Sequence, residues 1–221
     1  FTPLGYYNIA KKKGIPADVP FALNAALLTP QDWLDAFSIS ENSKLGVTIQ
    51  NAVYSLKGKD FYSIKDIIKE LEKNKSNESD TAIARFHNAE FWGVFAEKEK
   101  DATELEELSK GGQVGVLDIS AYATTAGSWT VKNLVTGIVC KQLFTKRMKE
   151  RKEEEYTDVH KETSFVSKQQ FNILESSKVE HPLMWVAIDE AHEFLPREGK
   201  TTSSDALITI LREGRQPGIS L

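Results

Sequence analysis

The stretch PLMWVAIDEAHEFLP, residues 182–196, decides how this chain is read. Met184, Trp185, Val186, Ala187 and Ile188 make an apolar run that stops at two adjacent acids, Asp189 and Glu190. A short apolar run with a polar tip is the pattern of a buried parallel strand. Ligands of open α/β sheets bind beyond the carboxyl ends of their strands, so the two carboxylates stand where chemistry is expected. Downstream, SSDALITILREGR, 203–215, reads as a short capped helix, and GISL, 218–221, opens another strand. Upstream, GGQVGVLDIS, 111–120, is a glycine turn followed by a strand-like apolar run. A long helix from about Thr130 follows it, with Val131, Leu134, Val135, Ile138, Val139, Leu143 and Phe144 on one wide stripe. Strand, helix, strand, helix, strand is the α/β alternation, which predicts that the strands near 113–119, 184–189 and 218–221 lie parallel in one sheet.

The first half has a different texture. Thr29, Pro30 and Asp32 fit a helix cap, a first-turn proline and a first-turn carboxylate ahead of Trp33, Leu34 and Phe37. Leu45, Ile49, Ala52, Val53 and Leu56 share the face of a second helix closed by Gly58. Ser63 and Asp66 open a third, which aligns Ile64, Ile67, Ile68 and Leu71. KNKSNESD, 73–80, reads as a polar loop, and a fourth helix from Thr81 turns Ile83, Phe86, Phe91, Val94 and Phe95 inward. The expectation is an all-helical bundle over residues 1–110 and an α/β part over 111–221.

Composition sets limits. An apolar content of 40% is enough for a core. No apolar run approaches the ~18 to 20 residues of a membrane span, and FTPLGYYN lacks a signal-peptide layout, so a cytoplasmic protein without a membrane partner is expected. The net charge of −4 argues against a generally basic nucleic-acid surface but allows a motor that holds its strand in a central channel. Cys140, alone of its kind and among apolar residues, is expected to be buried. His87, His160 and His181 lack partners at metal-ligand spacing, and His192 is expected to hydrogen-bond within its loop. KRMKERKEEEYTDVHKE, 146–162, reads as a solvated helix end or flexible loop.

Three stretches carry a resemblance: VGVLDIS at 114–120, WVAIDEAHEFLP at 185–196 and LREGRQPGISL at 211–221. Their order and spacing resemble the HerA-type P-loop ATPases, relatives of FtsK and of the conjugation ATPases. The resemblance implies a partial RecA-like parallel sheet with an all-helical insertion. It implies ATP and magnesium as ligands, with Asp189 as the magnesium-organising acid of the Walker B strand, acting through water. Glu190 then corresponds to the catalytic base, and Arg215 or Arg212 to an arginine that reaches a neighbouring subunit's nucleotide. As a whole it implies a hexameric ring that moves along or unwinds double-stranded DNA, and it leaves a nuclease partner open. The departure is the phosphate-binding loop. No G-x-x-x-x-G-K-[ST] occurs, and Gly199-Lys200-Thr201 lacks the preceding glycine. The chain is therefore expected to be a fragment that does not hydrolyse ATP alone, an expectation also drawn from FTPLG at its start and the short strand ending at Leu221.

Two other readings stand beside this one. The string DEAH, 189–192, with Arg212, Gly214 and Arg215, matches parts of the superfamily-two helicases. Those place their arginine motif in a second domain, and a Ser-Ala-Thr motif between the two is missing here. The other reading is a regulatory or scaffold module with a vestigial nucleotide site.

Overall fold

The structure is a computed structural model that describes residues 1–124, 127–165 and 182–221. These residues form a mixed α/β fold that is mostly helical. Its helices are α1 (Leu4–Lys12), α2 (Pro30–Phe37), α3 (Lys44–Ser55), α4 (Ile64–Glu72), α5 (Asn77–Glu90), α6 (Ser128–Phe165) and α7 (Ser204–Glu213). Its strands are β1 (Thr2–Pro3), β2 (Pro20–Phe21), β3 (Met184–Trp185) and β4 (Ile219–Ser220).

Local chemistry starts the helices. The Thr29 hydroxyl accepts from the Asp32 amide at 3.3 Å while the Asp32 carboxylate accepts from the Thr29 amide at 2.7 Å, which closes a capping box before α2. Ser43 accepts from the Gly46 amide at the start of α3. Asp66 accepts from the amide and hydroxyl of Ser63 at 3.0 and 2.8 Å at the start of α4. That backbone N–H, with help from the Ser63 hydroxyl and Lys69, holds the Asp66 carboxyl down at about 2 despite partial desolvation. The fourth expected helix begins earlier than its pattern indicates. Ser76 caps α5 and Glu78 and Asp80 fill its first turn, so much of the polar stretch 73–80 is helical. It also ends earlier: Phe91, expected inward, is 83% exposed just past the last turn, while Phe95 packs at 5.0 Å from the Trp33 ring.

Residues 1–110 hold more than helices. β1 and β2 pair in parallel, and Leu23 bridges Phe95 in the same sense, so the all-helical expectation is corrected. Strands of two residues are too short to leave a period-2 signal in sequence. One apolar cluster then runs through both halves of the chain. Trp33, Phe37 and Phe86 pack edge-on and stacked near its centre, and Val131, Leu134, Val135, Ile138 and Leu143 line it from α6. Each such fully buried aliphatic side chain contributes about 1.5–3 kcal/mol of transfer free energy. The Lys141–Asp32 ion pair at 2.9 Å ties α6 to the start of α2. Cys140 is buried as expected, and burial pushes its thiol up to about 12.

The expected sheet is met in part. β3 and β4 pair in parallel, with Met184 opposite Ile219 and Trp185 opposite Ser220. Residues 114–119 do not join them among the described residues. They lie beside the first residue instead, where the Phe1 nitrogen donates to the Val116 carbonyl at 2.6 Å and the Asp118 amide donates to the Phe1 carbonyl at 2.9 Å. The strands are also not buried on both faces. Leu183 and Trp185 are exposed while Met184, Val186 and Ile188 are half-buried, because only one face of the pair meets the helices. Among the described residues no helix is long and apolar enough to cross a membrane.

Candidate functional site

Past β3 the Val186 amide still donates to the Ser220 carbonyl at 2.8 Å, residues 187–188 belong to no regular element, and the backbone turns at the two acids. The Asp189 carboxylate accepts the Glu190 amide at 2.9 Å. Glu190 adopts a left-handed conformation with φ of 52°, sparsely populated for a residue with a Cβ and a mark of positions whose surroundings dictate geometry. A single turn of 3-10 helix, Ala191–Glu193, follows it, with the Glu193 amide donating to the Glu190 carbonyl at 2.8 Å. Both acids are exposed. His192 Nδ1 lies 3.2 Å from a Glu190 carboxylate oxygen, so this histidine does find its partner within its own loop.

What holds the turn lies beneath it. Phe194 is fully buried, and its carbonyl accepts from the hydroxyls of Thr201 and Ser204 at 2.8 and 3.2 Å, with the Ser203 hydroxyl oxygen 3.3 Å away. Ser203 donates its proton to the Asn133 side-chain oxygen of α6 at 2.8 Å, a buried contact across 70 positions. Gly137, one helical turn on, makes the approach possible: a Cβ there would stand 2.9 Å from the Thr202 carbonyl oxygen. Lys132 reaches Glu193 at 3.7 Å. The acid turn is thus fixed against α6 by polar contacts that periodicity could not reveal, since Asn133 and Ser203 look like ordinary polar positions. In the same loop, Lys200 pairs with Asp205 at 2.8 Å and the Thr201 hydroxyl is engaged by Phe194, so Gly199-Lys200-Thr201 makes local contacts.

The arginines stand apart from the acids. Arg212 occupies the last turn of α7, and Arg215 lies in the turn between α7 and β4. With Met148, Arg151, Glu213 and Gln216 they line an open concavity of about 650 Å³. Neither arginine side chain has a hydrogen bond or ion pair among the described residues. Because β3 and β4 are parallel, Asp189 and Glu190 lie beyond the carboxyl end of the pair, whereas Arg215 precedes its amino end. The structure therefore brings Asp189, Glu190 and His192 together, brings Arg212 and Arg215 together, and keeps the two sets apart.

Magnesium suits the acid pair chemically. It takes one or two carboxylates and completes its shell with phosphate oxygens and water, and the exposed oxygens of Asp189 and Glu190 leave room for both. A further residue shapes the arginine side. Arg147, inside the charged stretch expected to be solvated, is 2% exposed and donates to the Pro217 carbonyl. The arginine-rich pattern around it carries no signal of that burial. Compared with models of known protein families and with curated proteins, the chain matches none.

Proposed function

We propose that this chain is part of a ring-forming, ATP-dependent DNA translocase or helicase similar to HerA and FtsK. In this reading residues 111–221 form a piece of a RecA-like core and residues 1–110 an insertion. Double-stranded DNA is the track, the assembly is hexameric, and the protein acts in the cytoplasm. The observation that carries the reading is the pair Asp189 and Glu190, held in a strained turn a few residues beyond the carboxyl end of a parallel strand. Asp189 would hold magnesium through water, and the bound ion would neutralise charge on the phosphate oxygens. Glu190 accepts the proton of the attacking water and orients it. The carboxylate of Asp189, aligned by the Glu190 amide, keeps the two acids in fixed relation. His192 stands close enough to Glu190 to orient its carboxylate. The cradle for the β and γ phosphates would come from a phosphate-binding loop outside residues 1–221, since none lies within them.

The separation of the arginines from the acids favours their action across a subunit boundary. A guanidinium arriving from the next subunit places donors on the charge of the transferring phosphoryl group and couples hydrolysis to assembly. The test is Glu190→Gln in the full-length protein. ATP binding should persist, and DNA-stimulated hydrolysis should fall by at least ~100-fold, the scale of losing a general base. Turnover near that of the wild type would refute the role of Glu190. A wild-type protein that binds DNA but never hydrolyses ATP would favour the scaffold reading.

A further inference from the structure

A buried guanidinium is costly unless it is paired and its donors are satisfied. Arg147, near the middle of α6, meets that requirement in an unusual way. Its Nη1 donates to the Glu150 carboxylate at 2.7 Å, one turn further along its own helix. Its Nε donates to the carbonyl oxygen of Pro217 at 2.9 Å, 70 positions later. Its Nη2 lies against Gly218, where an added Cβ would stand 3.3 Å away.

The gripped segment is the turn that leaves α7 and enters β4, and that turn has little slack. The Gly214 amide donates to the Ile210 carbonyl at 2.8 Å, the Ile219 amide to the Gly214 carbonyl at 2.9 Å, and the Gly218 amide to the Arg215 carbonyl at 3.3 Å. Gly214 admits no Cβ, because one would run into the carbonyl oxygens of Ile219 and Ile210. Gly218 has φ of 77°, a conformation that favours glycine. Arg215 projects from this turn, whereas Arg212 belongs to α7 itself. A group that fixes Pro217 therefore fixes the origin of Arg215 and has no direct hold on Arg212.

We propose that Arg147 is the positioning residue for Arg215: held by Glu150, its guanidinium grips the Pro217 carbonyl and sets the direction in which Arg215 leaves the fold. The inference rests on the reading of Arg215 as the arginine offered to a neighbouring subunit's nucleotide. Lysine is no substitute in this role, because one ammonium lacks the planar fork that engages a carboxylate and a carbonyl in fixed geometry. A misplaced arginine finger would lower turnover without altering nucleotide affinity in its own subunit.

The experiment compares Arg147→Lys, Arg215→Ala and the double variant in full-length protein, with ATP as the probe. Arg147→Lys keeps the positive charge facing Glu150. It should lower kcat by ~10- to 100-fold, the scale of a small misplacement, and leave KM for ATP unchanged. The double variant should be no slower than Arg215→Ala alone, because Arg147 acts only through Arg215. Wild-type kcat in Arg147→Lys overturns the proposal, and so does a loss that multiplies onto that of Arg215→Ala. A raised KM with kcat intact also overturns it. Arg215→Ala at the wild-type rate sinks the underlying reading instead, and is recognised because that variant alone reports on it. Should Arg147→Lys fail to assemble, the pair Arg147→Met with Glu150→Gln, which removes the buried charge together with that of its half-buried partner, is measured by the same criteria.

Discussion

Mixing two inactive variants gives the sharpest test of a shared site. Arg215→Ala keeps Glu190 and loses the arginine, and Glu190→Gln keeps the arginine and loses the base. Within one chain the acids lie beyond the carboxyl end of the parallel pair β3–β4 and Arg215 lies before its amino end. Under the proposed shared site, hydrolysis requires an interface with a Glu190-bearing subunit on one side and an Arg215-bearing neighbour on the other. With equal amounts and free exchange, about one interface in four has that composition, whatever the ring size. Arg215→Ala alone should retain no more than ~0.1% of wild-type turnover, given a finger worth 10³ or more, and Glu190→Gln alone no more than ~1%. The mixture should therefore recover about a quarter of wild-type activity, a rise of more than ~10-fold over either parent. The assay is DNA-stimulated ATP hydrolysis on pre-mixed subunits, with differently tagged chains to show that rings contain both. Co-assembled rings that hydrolyse no faster than their parents would refute a site shared between subunits.

Two predictions concern the fold that carries the site. Asp66 is held near 2 by the Ser63 amide, whereas an unfolded aspartate titrates near about 3.9, so the cap should stabilise the protein fully above pH ~4 and progressively less as the pH falls towards 2. With Asp66 more than a third exposed, the effect is about 1 kcal/mol or less; urea midpoints of wild type and Asp66→Ala should converge on acidification, and a constant gap would contradict the assignment. Gly214→Ala should destabilise the protein by about 1–3 kcal/mol, because its methyl group meets two backbone oxygens that cannot swing aside. Denaturant unfolding of that variant would exclude the close approach if its stability equalled the wild type's.

What the sequence made legible was what is local. Thr29 with Asp32 and Ser63 with Asp66 are read correctly because each cap is complete within four residues, and the stripe on α6 is read correctly because helical period and burial agree over several turns. The failures share one cause, which is dependence on a distant partner. Residues 114–119 have the composition of a buried strand, yet Val114 is 91% exposed, because pairing is decided by which backbone lies alongside and here that is Phe1. α1 is short and begins within a proline- and glycine-containing stretch, so its own period is too brief to announce it. Arg147 is the clearest case. In a run of lysines, arginines and glutamates nothing marks one cation as buried, and its burial follows only when the chain returns 70 residues later with the Pro217 carbonyl. The acids at 189 and 190 were visible because a strand end is a local boundary in hydropathy. Their place at the opposite end of the strand pair from Arg215 was not, since it follows from the parallel register of Met184 on Ile219, and that register turns two isolated sequence motifs into a testable claim about neighbouring subunits.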